Sequence, residues 1–265
     1  MGTAKPSEQE RGLAPHHMFD VVDPDQNYTC AQYTNDASKI IDDLHIRERV
    51  PIVCGGTGLY ARALLEGLNI PPVPPQPELR ESLARFAEEH GNEKLHDRLK
   101  ELDPQSGNRL SVNDRFRVIR AIEVCTVLGM PFSQAAGKKE PPFNTIWIGL
   151  TVADRSYLKT AIEQRLQAQL RDGLVDEVDR LYHRYGCARA LMNTVNYREF
   201  IDHRMGLFSF EQALEECKRH SYQLARRQIM WFKTNIAINW FTIDKLSGDD
   251  IFSQTCALLS SKTMN

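Results

Sequence analysis

A glycine-rich tetrapeptide, Gly55-Gly-Thr-Gly58, is the first feature of the sequence that could bind a charged ligand. It follows a short apolar run and precedes a segment whose apolar spacing is typical of a helix. Backbone N–H groups in such a turn lack intrahelical partners and lie at the positive end of the helix dipole, so phosphate oxygens bind well there. The pattern also fits a plain tight turn in which the Thr57 hydroxyl caps the helix. The tetrapeptide alone leaves both interpretations open.

A cluster of arginines, Arg115, Arg117 and Arg120, lies on a segment that also has an apolar side. Their spacing predicts a positive helix face opposite that apolar side, and such a face can contact the phosphates of a nucleic acid. Charged residues on an amphipathic helix are often only its solvated side, so this alternative stays open.

A second basic segment, residues 218–233, mixes cations with aromatic and amide side chains. Its cations could contact phosphates, Tyr222, Trp231 and Phe232 could stack on bases, and Gln228 could bind a base edge. Alternatively, Trp231 and Phe232 are core residues on one side of a helix whose Arg226 and Arg227 face water. We expect a mixture of the two.

The elements that must position these residues alternate along the chain. The predicted strands are 17–22, 50–54, 145–151 and 236–243. The predicted helices are 28–48, 59–68, 78–90, 92–102, 113–128, 154–172, 174–185 and 210–233. Strands that alternate with helices predict an α/β fold with a parallel sheet. Ligands of such sheets bind beyond the C-terminal ends of the strands, which is where Gly55 to Gly58 is expected.

A proline-rich stretch, residues 70–77, interrupts this alternation and can be neither a helix nor an inner strand. It is followed by predicted helices only, as far as residue 143. The sequence therefore predicts a core in two parts, residues 1–68 and 144–265, interrupted by a helical insertion at 69–143.

Composition excludes several classes of protein. Hydrophobic residues make up 42% of the 265, which is ordinary for a globular protein, and no apolar run approaches the roughly 20 residues that span a bilayer. The six cysteines include no CxxC pair and no zinc-ligand spacing, so we expect free thiols in a reducing compartment, the cytoplasm. The net charge is only -2, so any binding of nucleic acid must depend on local basic patches.

Short motifs along the chain stand in the order and spacing found in one family. The pieces are Gly2-Thr-Ala-Lys-Pro6, Pro15-His16, Asp23-Pro24, Gly55-Gly-Thr-Gly-Leu-Tyr60, Asn113-Asp114 with Arg117 and Arg120, Asp154-Arg155, Gly173-Leu-Val-Asp-Glu177, and Arg227-Gln228 with Trp231. Each piece is weak, but the combination is specific. The chain resembles the tRNA dimethylallyltransferases, also called tRNA isopentenyltransferases, over essentially its whole length.

The resemblance implies a reaction and its partners. Such enzymes transfer a dimethylallyl group from dimethylallyl diphosphate to the exocyclic amine of the adenine 3′-adjacent to the anticodon in tRNA. The target base is flipped out of its stack into a channel. A P-loop-kinase-like parallel sheet core is implied, with a helical insertion that grips the anticodon stem-loop and with Mg²⁺ on the diphosphate. We expect a monomer with no membrane partner.

The resemblance also implies roles for individual residues. Thr57 matches the threonine at the family's reaction centre. The residues expected near the diphosphate are Gly55, Gly56 and Arg165, the last on a helix that carries the Asp154-Arg155 pattern. The residues expected along tRNA are Arg80, Phe116, Arg117, Arg120, Gln223, Arg226, Arg227 and Gln228.

The sequence departs from the family's pattern at its beginning. The family starts with strand-GxxxxGK[ST]-helix and a following strand that ends in Asp-Ser, whose aspartate is the proposed general base. This sequence starts downstream of both, and its Gly137-Lys138 lacks the glycine five residues earlier that a P-loop has. We therefore expect a core without the N-terminal strand and P-loop. Smaller departures are Asn196, where a glycine is usual, and Met230, where a threonine is usual.

Three functions are consistent with these residues. The first is a tRNA prenyltransferase, here as a truncated form of an ordinary enzyme. The second is a paralogue that binds tRNA without catalysis, and in either case we expect this polypeptide alone to transfer no dimethylallyl group. A third, prenylation of free adenine nucleotides, is disfavoured because a nucleotide-sized substrate needs no arginine-bearing insertion.

Overall fold

The computed structural model describes residues 2–263, which form two compact units. The middle unit is Tyr28–Asn144, and the terminal unit combines the residues up to Asn27 with those from Thr145 onward. Residues 28–68 thus group with the predicted insertion and not with the predicted core. The division into a core and a tRNA-binding insertion stays a prediction.

The middle unit is mostly helical. Its elements are α2 (Cys30–Ile46), α3 (Gly58–Leu65), β1 (Leu68–Asn69), α4 (Pro77–Leu102), α5 (Pro104–Arg109), α6 (Arg115–Leu128), α7 (Phe132–Ala135) and β2 (Gly137–Lys138); α1 (Glu8–Leu13) precedes them in the other unit. The core lies between α4 and α6, where Leu95, Leu99 and Val118 are fully buried. The predicted break between two helices is confirmed at Gly91, whose φ of 87° interrupts α4.

Strands β1 and β2, which lie on either side of α4 to α7 in the chain, pair antiparallel in this unit. Lys138 lies in that ladder opposite Leu68, with its Nζ atom 3.8 Å from Glu66. The backbone of Gly137-Lys138 is therefore used in strand pairing, which agrees with the prediction that this Gly-Lys pair is not a P-loop.

The terminal unit contains α1 and the elements after the middle unit. They are β3 (Trp147–Thr151), α8 (Arg155–Arg171), α9 (Leu174–Tyr185), α10 (Arg189–Met192), α11 (Tyr197–Arg204), α12 (Phe210–Phe232), β4 (Ile238–Thr242) and α13 (Gly248–Thr263). Its core is formed by buried side chains of α8 to α12, among them Leu174, Phe200 and Ile201. The predicted break after α8 is confirmed at Gly173, whose φ is 95°.

Strands β3 and β4 pair in parallel, with Trp147 opposite Ile238 and Thr151 opposite Thr242. Both strands were predicted from their apolar runs, and the parallel pairing is confirmed. Gly149 allows the close approach of β4, because a Cβ atom there would lie 2.6 Å from the Trp240 ring.

The two other predicted strands, 17–22 and 50–54, are wrong. Both segments are irregular, and their apolar side chains are exposed, Ile52 by 84% and Val21 by 45%. A strand requires a hydrogen-bonded neighbour, and the only ladders within residues 2–263 are β1 with β2 and β3 with β4. The fold is therefore mixed helix and sheet, with much less sheet than the sequence predicted.

No helix in the described part of the chain is long and apolar enough to cross a membrane. All six cysteines are free thiols, as predicted; Cys125 and Cys217 are buried.

Candidate functional site

The Gly55 to Gly58 turn leads into α3, and Thr57 is the N-cap residue of that helix. The Thr57 side chain is exposed and makes no capping hydrogen bond, while its carbonyl accepts the Ala61 N–H at 3.1 Å. A Cβ atom at Gly55 would meet no atom within 4 Å, so the space beside this backbone is open. The hydroxyl is thus available to a ligand, which favours the binding interpretation over the plain cap.

An aromatic pair fixes the helix that follows this turn. The rings of Tyr33 on α2 and Tyr60 on α3 stack with centroids 4.4 Å apart and planes 20° apart. Burial raises the pKa of both phenols, so the hydroxyls stay neutral. The pair holds the first turn of α3, and with it Thr57, against α2.

Arg80 and Arg120 share one buried carboxylate, that of Glu123. The Nε and Nη2 atoms of Arg80 donate to the two Glu123 oxygens at 2.7 Å each, and Arg120 donates to Glu123 from Nη1. Burial tends to raise the pKa of this carboxyl, but hydrogen bonds from Arg80, from the Gln76 backbone N–H and from Arg120 outweigh it and hold the pKa below its ordinary value. Both arginines, predicted as tRNA contacts, therefore have protein partners, although each remains partly exposed.

Arg117 and Phe116 are placed differently from Arg120, although they are on the same helix. Within residues 2–263, Arg117 pairs only with Asp114, the N-cap residue of α6, at 2.8 Å, and its side chain is 70% exposed. Phe116 is 68% exposed, which is unusual for an aromatic residue beside a packed helix core. Arg115, in contrast, folds back onto α4 to bond the Ala84 carbonyl and Glu88. The first turn of α6 thus presents one cation and one aromatic ring.

In the terminal unit, the basic residues of α12 fall into two groups. Those of the first half are paired: Lys218 with Glu163 at 3.6 Å, Arg219 with Glu216, and His220 with the buried Glu199 at 2.6 Å. After His220 the helix has no acidic residue, and within residues 2–263 neither Arg226 nor Arg227 forms an ion pair.

Tyr222 lies where the second, unpaired group begins. The Lys159 ammonium of α8 is 5.6 Å and the Arg226 guanidinium 6.0 Å from its ring centroid. Gln223 and Gln228 are half-buried on the same helix, and Trp231 contacts Phe232 edge to face at 5.3 Å. Trp231 and Phe232 are half-buried while Arg226 and Arg227 are exposed, and contact of this segment with RNA stays a prediction.

Arg165 lies on α8 with an exposed side chain that has no ion-pair partner in the described part of the chain. It belongs to the terminal unit with Gln223, Arg226, Arg227 and Gln228. The middle unit contains Gly55, Gly56, Thr57, Arg80, Phe116, Arg117 and Arg120. In the middle unit the predicted residues lie just before α3 and on α4 and α6. In the terminal unit they lie on α8 and α12.

Asn196, noted in the sequence because a glycine is usual there, adopts φ 77° at the start of α11. Asparagine tolerates this left-handed backbone better than other residues with a Cβ atom. Its side-chain amide donates to Gln169 at 3.2 Å, which adds a contact that glycine could not make.

Sequence reasoning missed Glu123. Its only local signal is a carboxylate between Ile122 and Val124 on the apolar side of α6, where a charge needs a partner.

A family model described as IPP transferase matches residues 1–235. The chain belongs to that family. It is 38% identical over 244 residues to the tRNA dimethylallyltransferase of Thermomicrobium roseum, covering 92% of this chain and 74% of the relative. The solved structure of the full-length tRNA isopentenylpyrophosphate transferase from Bacillus halodurans is 30% identical with a TM-score of 0.70, covering 98% and 82%.

A third match supports the fold alone. A eukaryotic dimethylallyltransferase solved while acting on tRNA is 22% identical with a TM-score of 0.80, over 99% of this chain and 69% of that one. The resemblance read from the short motifs is confirmed by these comparisons.

Proposed function

We propose that the protein transfers a dimethylallyl group from dimethylallyl diphosphate to the exocyclic amine of the adenine 3′-adjacent to the anticodon in tRNA. The observation that carries this proposal is membership of the family over residues 1–235. The exposed cations of α6 and α12 support it, because an RNA substrate needs phosphate contacts beyond the reacting base.

The reaction needs charge stabilisation more than covalent chemistry from the protein. The adenine nitrogen forms a bond to the allylic carbon as the carbon–oxygen bond to diphosphate breaks, so negative charge grows on the leaving oxygens. Thr57 would donate its uncommitted hydroxyl to those oxygens, and the N–H groups of Gly55 and Gly56 would bind them. The nitrogen loses a proton, and we assign no residue of this chain as the base.

The sequence predicts Mg²⁺ on the diphosphate, and the described residues form no site with three or more protein ligands for it. No group of three or more His, Cys, Asp or Glu side chains is close enough to hold a metal within residues 2–263. Asp244, a half-buried residue, accepts the backbone N–H groups of Ala153 and Asp154 instead. Mg²⁺ is commonly bound by substrate phosphates together with one or two carboxylates and waters, so a group of three protein ligands is not required for it to accompany the diphosphate.

We infer that β3 and β4 belong to a wider parallel sheet of the P-loop-kinase type. Parallel sheets are normally covered on both faces, whereas Ile148 and Leu150 of β3 are 38% and 55% exposed. A monomeric state and a cytoplasmic location remain predictions from the sequence.

A second candidate is a tRNA-binding protein that does not catalyse. The observation that favours it is that the backbone of Gly137-Lys138 pairs with β1 as a strand and so does not form a phosphate-binding loop. Both candidates require recognition of the anticodon stem-loop.

The experiment incubates the purified 265-residue chain with tRNA, dimethylallyl diphosphate and Mg²⁺, then measures the nucleoside masses. A dimethylallyl-modified adenosine beside the anticodon supports the transferase. Specific binding of the stem-loop without this product supports the second candidate. If the chain forms no product and does not bind the stem-loop specifically, both candidates are contradicted.

A further inference from the structure

Glu123 is the most deeply placed charge of the middle unit, and three segments converge on it. Its side chain is fully buried on α6. Arg80 comes from the first turn of α4, Arg120 from the preceding turn of α6, and the Gln76 backbone N–H donates to Oε1 at 2.7 Å from the proline-rich segment. Glu123 therefore connects α6 with α4 and with the proline-rich segment between β1 and α4.

The geometry leaves each arginine with unused donors. Arg80 uses Nε and Nη2 on Glu123, so both N–H bonds of Nη1 remain. Arg120 uses Nη1 on Glu123 and Nη2 on the Val73 carbonyl at 2.9 Å, so its Nε–H remains. Their side chains are 25% and 22% exposed, so part of each guanidinium reaches the surface.

The charges of this group do not cancel. Two guanidinium ions and one carboxylate leave a net charge of one positive unit, held in fixed positions. A fixed cation loses less conformational entropy when it binds a phosphate than a freely rotating one does. The bidentate contact from Arg80 fixes the plane of its guanidinium as well as its position.

We propose that Glu123 is a positioning residue for RNA binding, which orients Arg80 and Arg120 so that their remaining N–H groups contact tRNA phosphates. This proposal rests on the proposed function, because it takes tRNA as the ligand. It makes an unusual prediction: removal of a negative charge from an RNA-binding surface weakens RNA binding.

The test compares two variants that each remove one carboxylate paired with an arginine in the middle unit. Glu123→Gln removes the buried negative charge that Arg80 and Arg120 share. Glu88→Gln, the control, removes the exposed negative charge that pairs with Arg115, and Arg115 keeps its hydrogen bond to the Ala84 carbonyl. Binding of a fluorescent anticodon stem-loop is titrated at several salt concentrations, and thermal unfolding is measured in parallel.

We expect Glu123→Gln to weaken binding about tenfold and to make the slope of log K against log salt shallower by about one. Glu88→Gln should bind as well as the unmodified chain or slightly better. Equal or tighter binding by Glu123→Gln would overturn the proposal, because net charge alone would then decide affinity.

A second variant keeps the proposal testable if Glu123→Gln fails to fold. Arg80→Lys preserves the charge but cannot form the two-bond contact, and its site is partly exposed. We expect it to weaken stem-loop binding severalfold with unfolding near that of the unmodified chain. Unchanged affinity in Arg80→Lys would refute the positioning role, whereas absence of stem-loop binding by the unmodified chain would refute the proposed function instead.

Discussion

The arginines of α4 and α6 show how much a residue's role depends on its partner. Arg117 is exposed and, in the part of the chain that the structure describes, pairs only with Asp114 at the start of its own helix, whereas Arg80 and Arg120 both bind Glu123. The local pairing of Arg117 with Asp114 is readable from the sequence, since the two are three residues apart. The pairing of Arg80 with Glu123 joins residues 43 apart, which no local pattern reveals.

Arg117→Ala should weaken tRNA binding and make its salt dependence shallower by roughly one unit of slope, because one phosphate contact is lost. Stability should change by less than about 1 kcal/mol, as is usual for an exposed ion pair. The measurement is a salt series of stem-loop titrations. Arg85→Ala, which removes another exposed arginine with a partner on its own helix, is the control. Identical salt slopes for the two variants would mean that Arg117 does not contact RNA and is only part of the solvated face of α6.

In a form of the enzyme that makes the dimethylallyl product, Thr57→Ala should lower turnover by about 10²–10³-fold. This is the usual effect of removing one hydrogen-bond donor to a developing negative charge. Affinity for tRNA should stay the same, because the side chain makes no structural cap. Ser82→Ala, which removes an exposed hydroxyl from the same unit, should leave turnover unchanged. Normal turnover with weaker tRNA binding would show that Thr57 contacts RNA rather than the diphosphate.

Helices and strands differ in how far the sequence predicted them. The long helices carry their own signals, such as the Ser209 cap of α12 and the glycines that end α8 and interrupt α4. Strands carry only an apolar run, and whether that run becomes a strand depends on a partner elsewhere in the chain. Residues 147–151 and 238–242 pair with each other, whereas 17–22 and 50–54 have no partner in the described structure.

Asp103 connects three elements and should make the middle unit sensitive to acid. Its buried carboxylate accepts the Ser106 N–H that begins α5 at 3.1 Å and the Ser133 N–H of α7 at 2.7 Å. Burial alone would raise its pKa, but the hydrogen bonds from Ser106 and Ser133 outweigh burial and hold the pKa below its ordinary value. The stabilisation from Asp103 is therefore complete above its unfolded-state pKa of about 3.9 and is lost as the pH falls through the lower folded value.

Asp103→Asn should reduce the free energy of unfolding by about 1–3 kcal/mol at neutral pH. The difference from the unmodified chain should begin to shrink as the pH falls below about 4, where the carboxyl of the unfolded chain becomes protonated, and it should be lost as the pH falls through the lower pKa of the folded state. Denaturant unfolding at a series of pH values measures this difference. A difference that stays constant down to pH 3 would mean that the ionised carboxylate contributes nothing.

At the scale of the whole molecule, two units each carry an exposed basic surface. In the middle unit it consists of Arg117 with the partly exposed Arg80 and Arg120, and in the terminal unit of Arg226 and Arg227 with Lys159. The sequence located both surfaces because cations cluster locally along helices. The sequence did not show that residues 28–68 group with the insertion, because that grouping depends on contacts among α2, α3 and the two-stranded sheet of β1 and β2.

The central claim is that this chain recognises the anticodon stem-loop of tRNA. The most direct measurement is a titration of the 265-residue chain against a fluorescent anticodon stem-loop, with a second stem-loop in which uridine replaces the adenine beside the anticodon. We predict tighter binding of the adenine-containing loop, with an affinity that falls as salt is raised because phosphate contacts release counterions. Equal affinity for the two loops, or an affinity that salt does not change, would contradict the account.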